Sequence, residues 1–125
     1  MNLTEIAYRN GSSIVNIELI EIKTPLASKD GIFIAKTQFD AYMKMVRAAA
    51  QDGIKIVLNS GFRSNEQQTY LYNGYINGKP GFNVAAKPKF SNHQTGIAFD
   101  FANTNSGKSN VYKWLAKNAT KFGFI

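Results

Sequence analysis

Strand-like and helix-like hydrophobic periods alternate irregularly along this chain, and that irregularity narrows its fold more than any other feature. Ser13-Ile14-Val15-Asn16-Ile17-Glu18-Leu19-Ile20-Glu21-Ile22 alternates apolar and polar for much of its length, the pattern of a half-buried strand. Residues 36–51 carry Phe39, Tyr42, Met43, Val46 and Ala50 at helical spacing, and Gly53 follows as a stop. Residues 54–58 read as a short strand ending in Asn59-Ser60-Gly61. Ser64 with Gln67 three residues later matches a capping box, which predicts a helix to about Tyr75. Asn77-Gly78-Lys79-Pro80-Gly81 is a loop signal. Residues 96–101 read as a buried strand and residues 103–108 as a turn. Val111, Trp114, Leu115 and Ala119 give a last helix its apolar face, with Gly123 as its stop. The regular rhythm of a doubly wound sheet is absent. An α+β domain is expected, a small antiparallel sheet with helices packed on it.

Two aromatic sets invite a binding role, and packing explains both better. Leu71 and Tyr75 lie four apart on one helical face, so the group Tyr70, Leu71, Tyr72 and Tyr75 is expected to pack in the core. Trp114 is expected to do the same.

At 125 residues the chain reads as one domain, 1–125, able to bury roughly two-thirds of its unfolded surface. There is no cysteine, which removes disulfides, zinc ribbons and thiol nucleophiles together. Any metal must be held by carboxylates and by His93, the one histidine present. No apolar run approaches the roughly 20 residues of a membrane span. Met1-Asn2-Leu3-Thr4-Glu5-Ile6 lacks a basic region followed by an apolar one, so no secretory signal is visible. The net charge is +7, which suits a polyanionic partner such as an anionic cell wall. The basic residues are scattered and accompany no nucleic-acid motif, so specific nucleic-acid binding is not expected.

The chemistry concentrates in Ser91-Asn92-His93-Gln94-Thr95-Gly96-Ile97-Ala98-Phe99-Asp100. His93 and Asp100 are well placed to share a metal if the histidine sits at the entry to a strand and the aspartate at its far end or on the adjoining turn. Gly96 and Ala98 then keep side chains small where backbone passes close to the site. The run Ser-x-His-x-x-Gly-x-Ala-x-Asp resembles the zinc signature of the D-alanyl-D-alanine carboxypeptidase family. That family includes the vancomycin-resistance carboxypeptidases and dipeptidases, and endolysins that cleave L-alanyl-D-glutamate bonds. Ser60-Gly61-Phe62-Arg63-Ser64, with Gln68 five residues after the arginine, resembles the family's second motif at the expected separation, and Ala85-Ala86 fits shortly before the histidine motif.

The resemblance, which runs from about Ser28 to Ile125, implies a hedgehog/DD-peptidase-like fold with zinc as cofactor. It implies that His93 and Asp100 are zinc ligands. Arg63 would bind the substrate carboxylate or the oxyanion developing on the scissile carbonyl, for which a permanently charged fork of donors is suited. Ser91 and Gln68 would contact substrate or line the cleft, Gln68 alternatively orienting Arg63. The family also carries a late Glu-x-Trp-His segment, in which the glutamate is general base and acid and the histidine is the third ligand. The 125 residues stop before that segment, so the domain is expected to be C-terminally incomplete relative to the family, with a further segment or a partner chain completing the site. Two function classes follow. One is a zinc peptidase of peptidoglycan, acting on D-Ala-D-Ala or L-Ala-D-Glu bonds in cell-wall lysis or remodelling. The other is a non-catalytic wall-binding or structural module, such as a phage tail or injection-particle component. Either acts at the bacterial cell wall, delivered by phage lysis or within a particle.

Overall fold

A computed structural model describes residues 2–95, 98–102, 104 and 109–124. The chain opens with a three-stranded antiparallel sheet in the order β1-β2-β3, formed by β1 (Asn2–Arg9), β2 (Ser12–Ile22) and β3 (Ile32–Ala35). The β1–β2 connection is the two-residue turn Asn10-Gly11, with φ of 50° and 85°. Positive φ at both central residues matches the twist of an antiparallel pair, and Asn-Gly adopts it at little cost. The expected strand over residues 13–22 is present as β2, with Leu19 paired to Ala35 and Ile22 to Ile32. Strands β1 and β3 were not anticipated, although Asn10-Gly11 between apolar segments is a hairpin signal.

Helix α1 (Phe39–Gln51) follows a short 3₁₀ turn and ends where Gly53 adopts φ 75°. Its buried residues are Tyr42, Met45, Val46 and Ala49, at i, i+3, i+4 and i+7. The apolar face is thus rotated from the expected one: Met45 and Ala49 enter the core, Met43 is half-buried and Ala50 faces solvent. The helix shares the buried core with Ile22, Ile34, Ile56 and Leu58.

The strand expected at 54–58 is displaced. Residues 54–57 lie outside any ladder, and β4 comprises Leu58–Ser60. Leu58 N donates to Leu26 O at 2.9 Å and Ser28 N donates to Leu58 O at 2.9 Å, so the segment 26–28 takes one side of this backbone. Strand β5, expected over 96–101, is Asp100–Phe101 and pairs antiparallel with β4; Gly96 and Ile97 lie outside the described residues. The expected turn at 103–108 lies almost entirely outside them too.

Helix α2 (Asn65–Ile76) has the predicted capping box, with Gln67 N donating to Ser64 Oγ and Ser64 N donating to Gln67 Oε1. The expected aromatic core on this helix is not found. Tyr70 is 67% exposed and Tyr75 38%, while Gln68 and Gly74 are buried. The returning segment 79–90 sets that face: the Phe82 ring lies directly on the Gly74 α-carbon, where any Cβ would collide, and meets Tyr70 edge-on at 5.3 Å. Helix α3 (Asn110–Asn118) buries Trp114 as expected, and its indole N–H donates to Asp52 Oδ2 at 2.8 Å. Gly123, at φ 88°, closes the final turn. The architecture is α+β, small antiparallel sheets with three helices.

Candidate metal centre

His93 sits on a 3₁₀ turn (Asn92–Thr95), not at the mouth of a strand, and Asp100 opens β5. The two side chains meet, with His93 Nε2 at 3.3 Å from Asp100 Oδ2. His93 is 14% exposed and Asp100 57%, so the pair stands at the floor of an open surface.

The residues around the pair come from the second motif, each with a separate task. Ser60 Oγ donates to Asp100 Oδ2 at 2.8 Å and orients the carboxylate. His93 Nδ1 lies 2.8 Å from Gly61 O. A carbonyl oxygen only accepts, so Nδ1 carries a proton, and in the neutral ring Nε2 presents its lone pair. Arg63 N donates to His93 O at 2.9 Å, fixing the backbone of the same residue. Gly61 is required for a further reason: a Cβ there would fall on the Phe33 carbonyl of β3, whose oxygen accepts from Phe62 N at 2.8 Å. The sequence carries one signal for these roles, the position of Ser60 and Gly61 three and two residues before Arg63 in the motif.

In the neutral ring this geometry leaves the Nε2 lone pair facing a carboxylate oxygen, whereas an imidazolium donates from Nε2 to Asp100. Two acceptors at 3.3 Å repel unless a proton or a cation lies between them. Zinc bonds of about 2.0–2.2 Å place two donors of one tetrahedral sphere roughly 3–4 Å apart, so the pair fits half of such a site. The bond from Nδ1–H to a backbone carbonyl is the usual support for a metal-binding imidazole. Among the described residues no group of three or more His, Cys, Asp or Glu stands close enough to hold a metal alone.

The other expected site residues are placed differently. Arg63 lines a cleft of about 500 Å³ together with Lys29, Ser60, Gly61, Glu66 and Tyr70, and makes no ion pair with any described residue. That cleft abuts the pair through Ser60 and Gly61. Gln68 is fully buried, neither on a solvated helix face nor on the cleft wall; its Nε2 donates to Ala86 O at 2.8 Å, and its Oε1 has no partner among the described residues. Ser91 is also buried, its Oγ accepting from His93 N at 3.2 Å, so it holds the turn that carries the histidine. Asp100 itself lines a second groove, about 810 Å³, together with Phe99, Phe101, Leu115 and Phe124.

The family model of D-alanyl-D-alanine carboxypeptidase (VanY) matches residues 31–125, and the chain belongs to that family. It is 29% identical over 97 residues to a D-alanyl-D-alanine carboxypeptidase of Enterococcus faecium, covering 75% of this chain and 30% of the relative. A D-alanyl-D-alanine carboxypeptidase of Enterococcus faecalis is 33% identical over 92 residues, 62% of this chain and 34% of the relative. The chain thus spans about a third of the length of these relatives. Among solved structures it resembles VanYB in complex with D-alanine-D-alanine, with TM-score 0.71 and 25% identity over 96% of this chain and 72% of that one. A mutant of the vancomycin-resistance D,D-pentapeptidase VanY in complex with Zn(II) gives TM-score 0.69 at 25% identity, over 96% of this chain and 73% of that one.

Proposed function

We propose that this chain is the metal-binding part of a zinc-dependent peptidase that cleaves peptidoglycan peptides, with the D-Ala-D-Ala terminus as substrate and the L-Ala-D-Glu bond as the other candidate. The observation that carries the reading is the His93–Asp100 pair at 3.3 Å, its imidazole proton held on the far nitrogen by Gly61. Family membership and the likeness to a D-alanine-D-alanine complex support the substrate class. His93 Nε2 and Asp100 Oδ2 would hold zinc, which when bound supplies Lewis-acid activation of a water and of the scissile carbonyl. Ser60 keeps the aspartate aimed. Arg63, free of ion pairs among the described residues, binds the substrate carboxylate or the negative charge that grows on the carbonyl oxygen. Gln68 and Ser91 act from behind, pinning the segment that carries His93, so that direct contact with substrate requires that segment to lift.

A third ligand and a general base lie outside the described residues in this reading, contributed by a further segment or a partner chain. The groove beside Asp100, walled by Phe99, Phe101, Leu115 and Phe124, supports a docking place for it. General acid–base help is worth typically 10²–10⁴-fold, so the 125 residues alone should turn over poorly. The test measures zinc bound by the chain and by His93→Ala, and D-alanine released from a stem pentapeptide with and without an added segment bearing glutamate and histidine. Zinc bound equally by His93→Ala would end the metal assignment. The alternative is a non-catalytic wall-binding module, favoured by the two-residue ligand set; retention on peptidoglycan without zinc and without hydrolysis by the extended protein would establish it.

A further inference from the structure

The tip of the β1–β2 hairpin lies outside the segment matched by the family model, yet it touches the loop that leads into His93. Gly11 N donates to Lys89 O at 3.0 Å. The Phe90 ring presses on the Gly11 α-carbon so closely that an added Cβ would stand 2.9 Å from Phe90 Cζ. Lys89 Nζ sits over the Tyr8 ring, 5.6 Å from its centroid. Lys89 itself has φ 75°, a left-handed conformation that a lysine occupies only when its surroundings impose it. From the opposite side, Lys89 N donates to Oε1 of the fully buried Gln94 at 2.7 Å. The strained residue is gripped between the hairpin and the histidine turn.

We propose that the hairpin tip is a clamp on the metal-ligand loop, with Tyr8, Gly11 and Phe90 as positioning residues for His93. The physical reason is the uneven support of the histidine. Its ring and its carbonyl are tied to Gly61 and Arg63 on the inner side. The chain entering it, residues 83–91, belongs to no helix or strand, and a ligand on such a loop swings unless its outer side is also fixed. Releasing the tip lets Lys89 relax out of its left-handed conformation, which breaks its bond to Gln94. The turn that aims Nε2 at Asp100 then loosens. The effect on metal binding rests on the function proposed above; the effect on loop order does not.

His93 is the only histidine, so its imidazole resonances are unambiguous in a heteronuclear magnetic-resonance experiment. The experiment records them, with amide exchange at Arg63, His93 and Gln94, in the full chain and in Gly11→Val, Phe90→Ala and Gly53→Ala. Gly53 also has φ 75° but no neighbour within 4 Å, so its variant carries the backbone cost without touching the clamp. Both clamp variants should broaden or split the imidazole signals and speed the three amides roughly tenfold or more, while Gly53→Ala leaves the signals unchanged. Phe90→Ala keeps the turn intact, so the proposal is decided even if Gly11→Val unravels the hairpin. Wild-type signals and exchange in Phe90→Ala overturn the clamp. Zinc titration runs in parallel: a loss of about tenfold or more in affinity, the size of other losses of support behind a ligand, extends the clamp to the metal. No zinc binding by the wild-type chain even with the added segment bearing glutamate and histidine would refute the proposed function and leave the clamp to stand or fall on the resonance data.

Discussion

Tyr42→Phe tests the floor beneath the His93–Asp100 pair. Tyr42 is fully buried, and its hydroxyl has no hydrogen-bond partner among the described residues. Its ring meets Phe99 edge-on at 6.0 Å and stacks at 6.3 Å on Phe101, the two residues that flank Asp100 in sequence. Burial raises the phenol's pKa well above its ordinary value. An orphaned buried hydroxyl costs about 1–3 kcal/mol, so removing it while keeping the ring should stabilise the protein by about 1 kcal/mol at pH 7. The pH dependence has a definite sign. The folded phenol ionises at a higher pH than the unfolded one, so wild type keeps its full stability below about pH 10 and loses it above. That loss is about 1.4 kcal/mol per pH unit until the folded group itself ionises. Titration of the other five tyrosines and of the lysines cancels between the two proteins. Urea unfolding of both at pH 7, 10 and 11 should therefore show a gap that widens from pH 10 to 11 in favour of the variant. A variant less stable by more than about 1 kcal/mol at pH 7 would mean that the hydroxyl has a partner. Parallel curves would mean that water reaches it.

Three further substitutions separate stability from site geometry. Ser60→Ala should change the unfolding midpoint little, yet weaken zinc binding roughly 10–100-fold, because only the orientation of Asp100 is lost; isothermal titration reads this. Gly61→Ala should cost about 1–3 kcal/mol in urea unfolding, since its Cβ meets the Phe33 carbonyl, and should also displace the Gly61 oxygen that holds His93. Ser64→Ala removes the cap of α2 and should cost about 1 kcal/mol; a midpoint equal to wild type would show that the capping box contributes nothing here.

Local order was legible in the sequence wherever the governing interaction is itself local. The capping box at Ser64 and Gln67, the stops at Gly53 and Gly123 and the alternation in β2 all depend on residues within a few positions of one another. The two motifs likewise identified the family. What the sequence could not supply was the partner across space. The face that α2 buries is set by Phe82 and Ala86 returning along it, so Gln68 and Gly74 went inward and Tyr70 and Tyr75 outward, against the helical spacing of the aromatics. The strand expected at 54–58 is found at 58–60, where Leu58 and Ser60 meet their partners Phe101 and Asp100 some forty residues on. The same holds at the site. The resemblance of the two sequence motifs singled out His93, Asp100 and Arg63 as the candidates for the chemistry. Only the tertiary structure decided that Ser60 and Gly61, more than thirty residues away, hold Asp100 and His93 in place, since hydrogen bonds over that separation depend on how β4 is laid against β5 and β3.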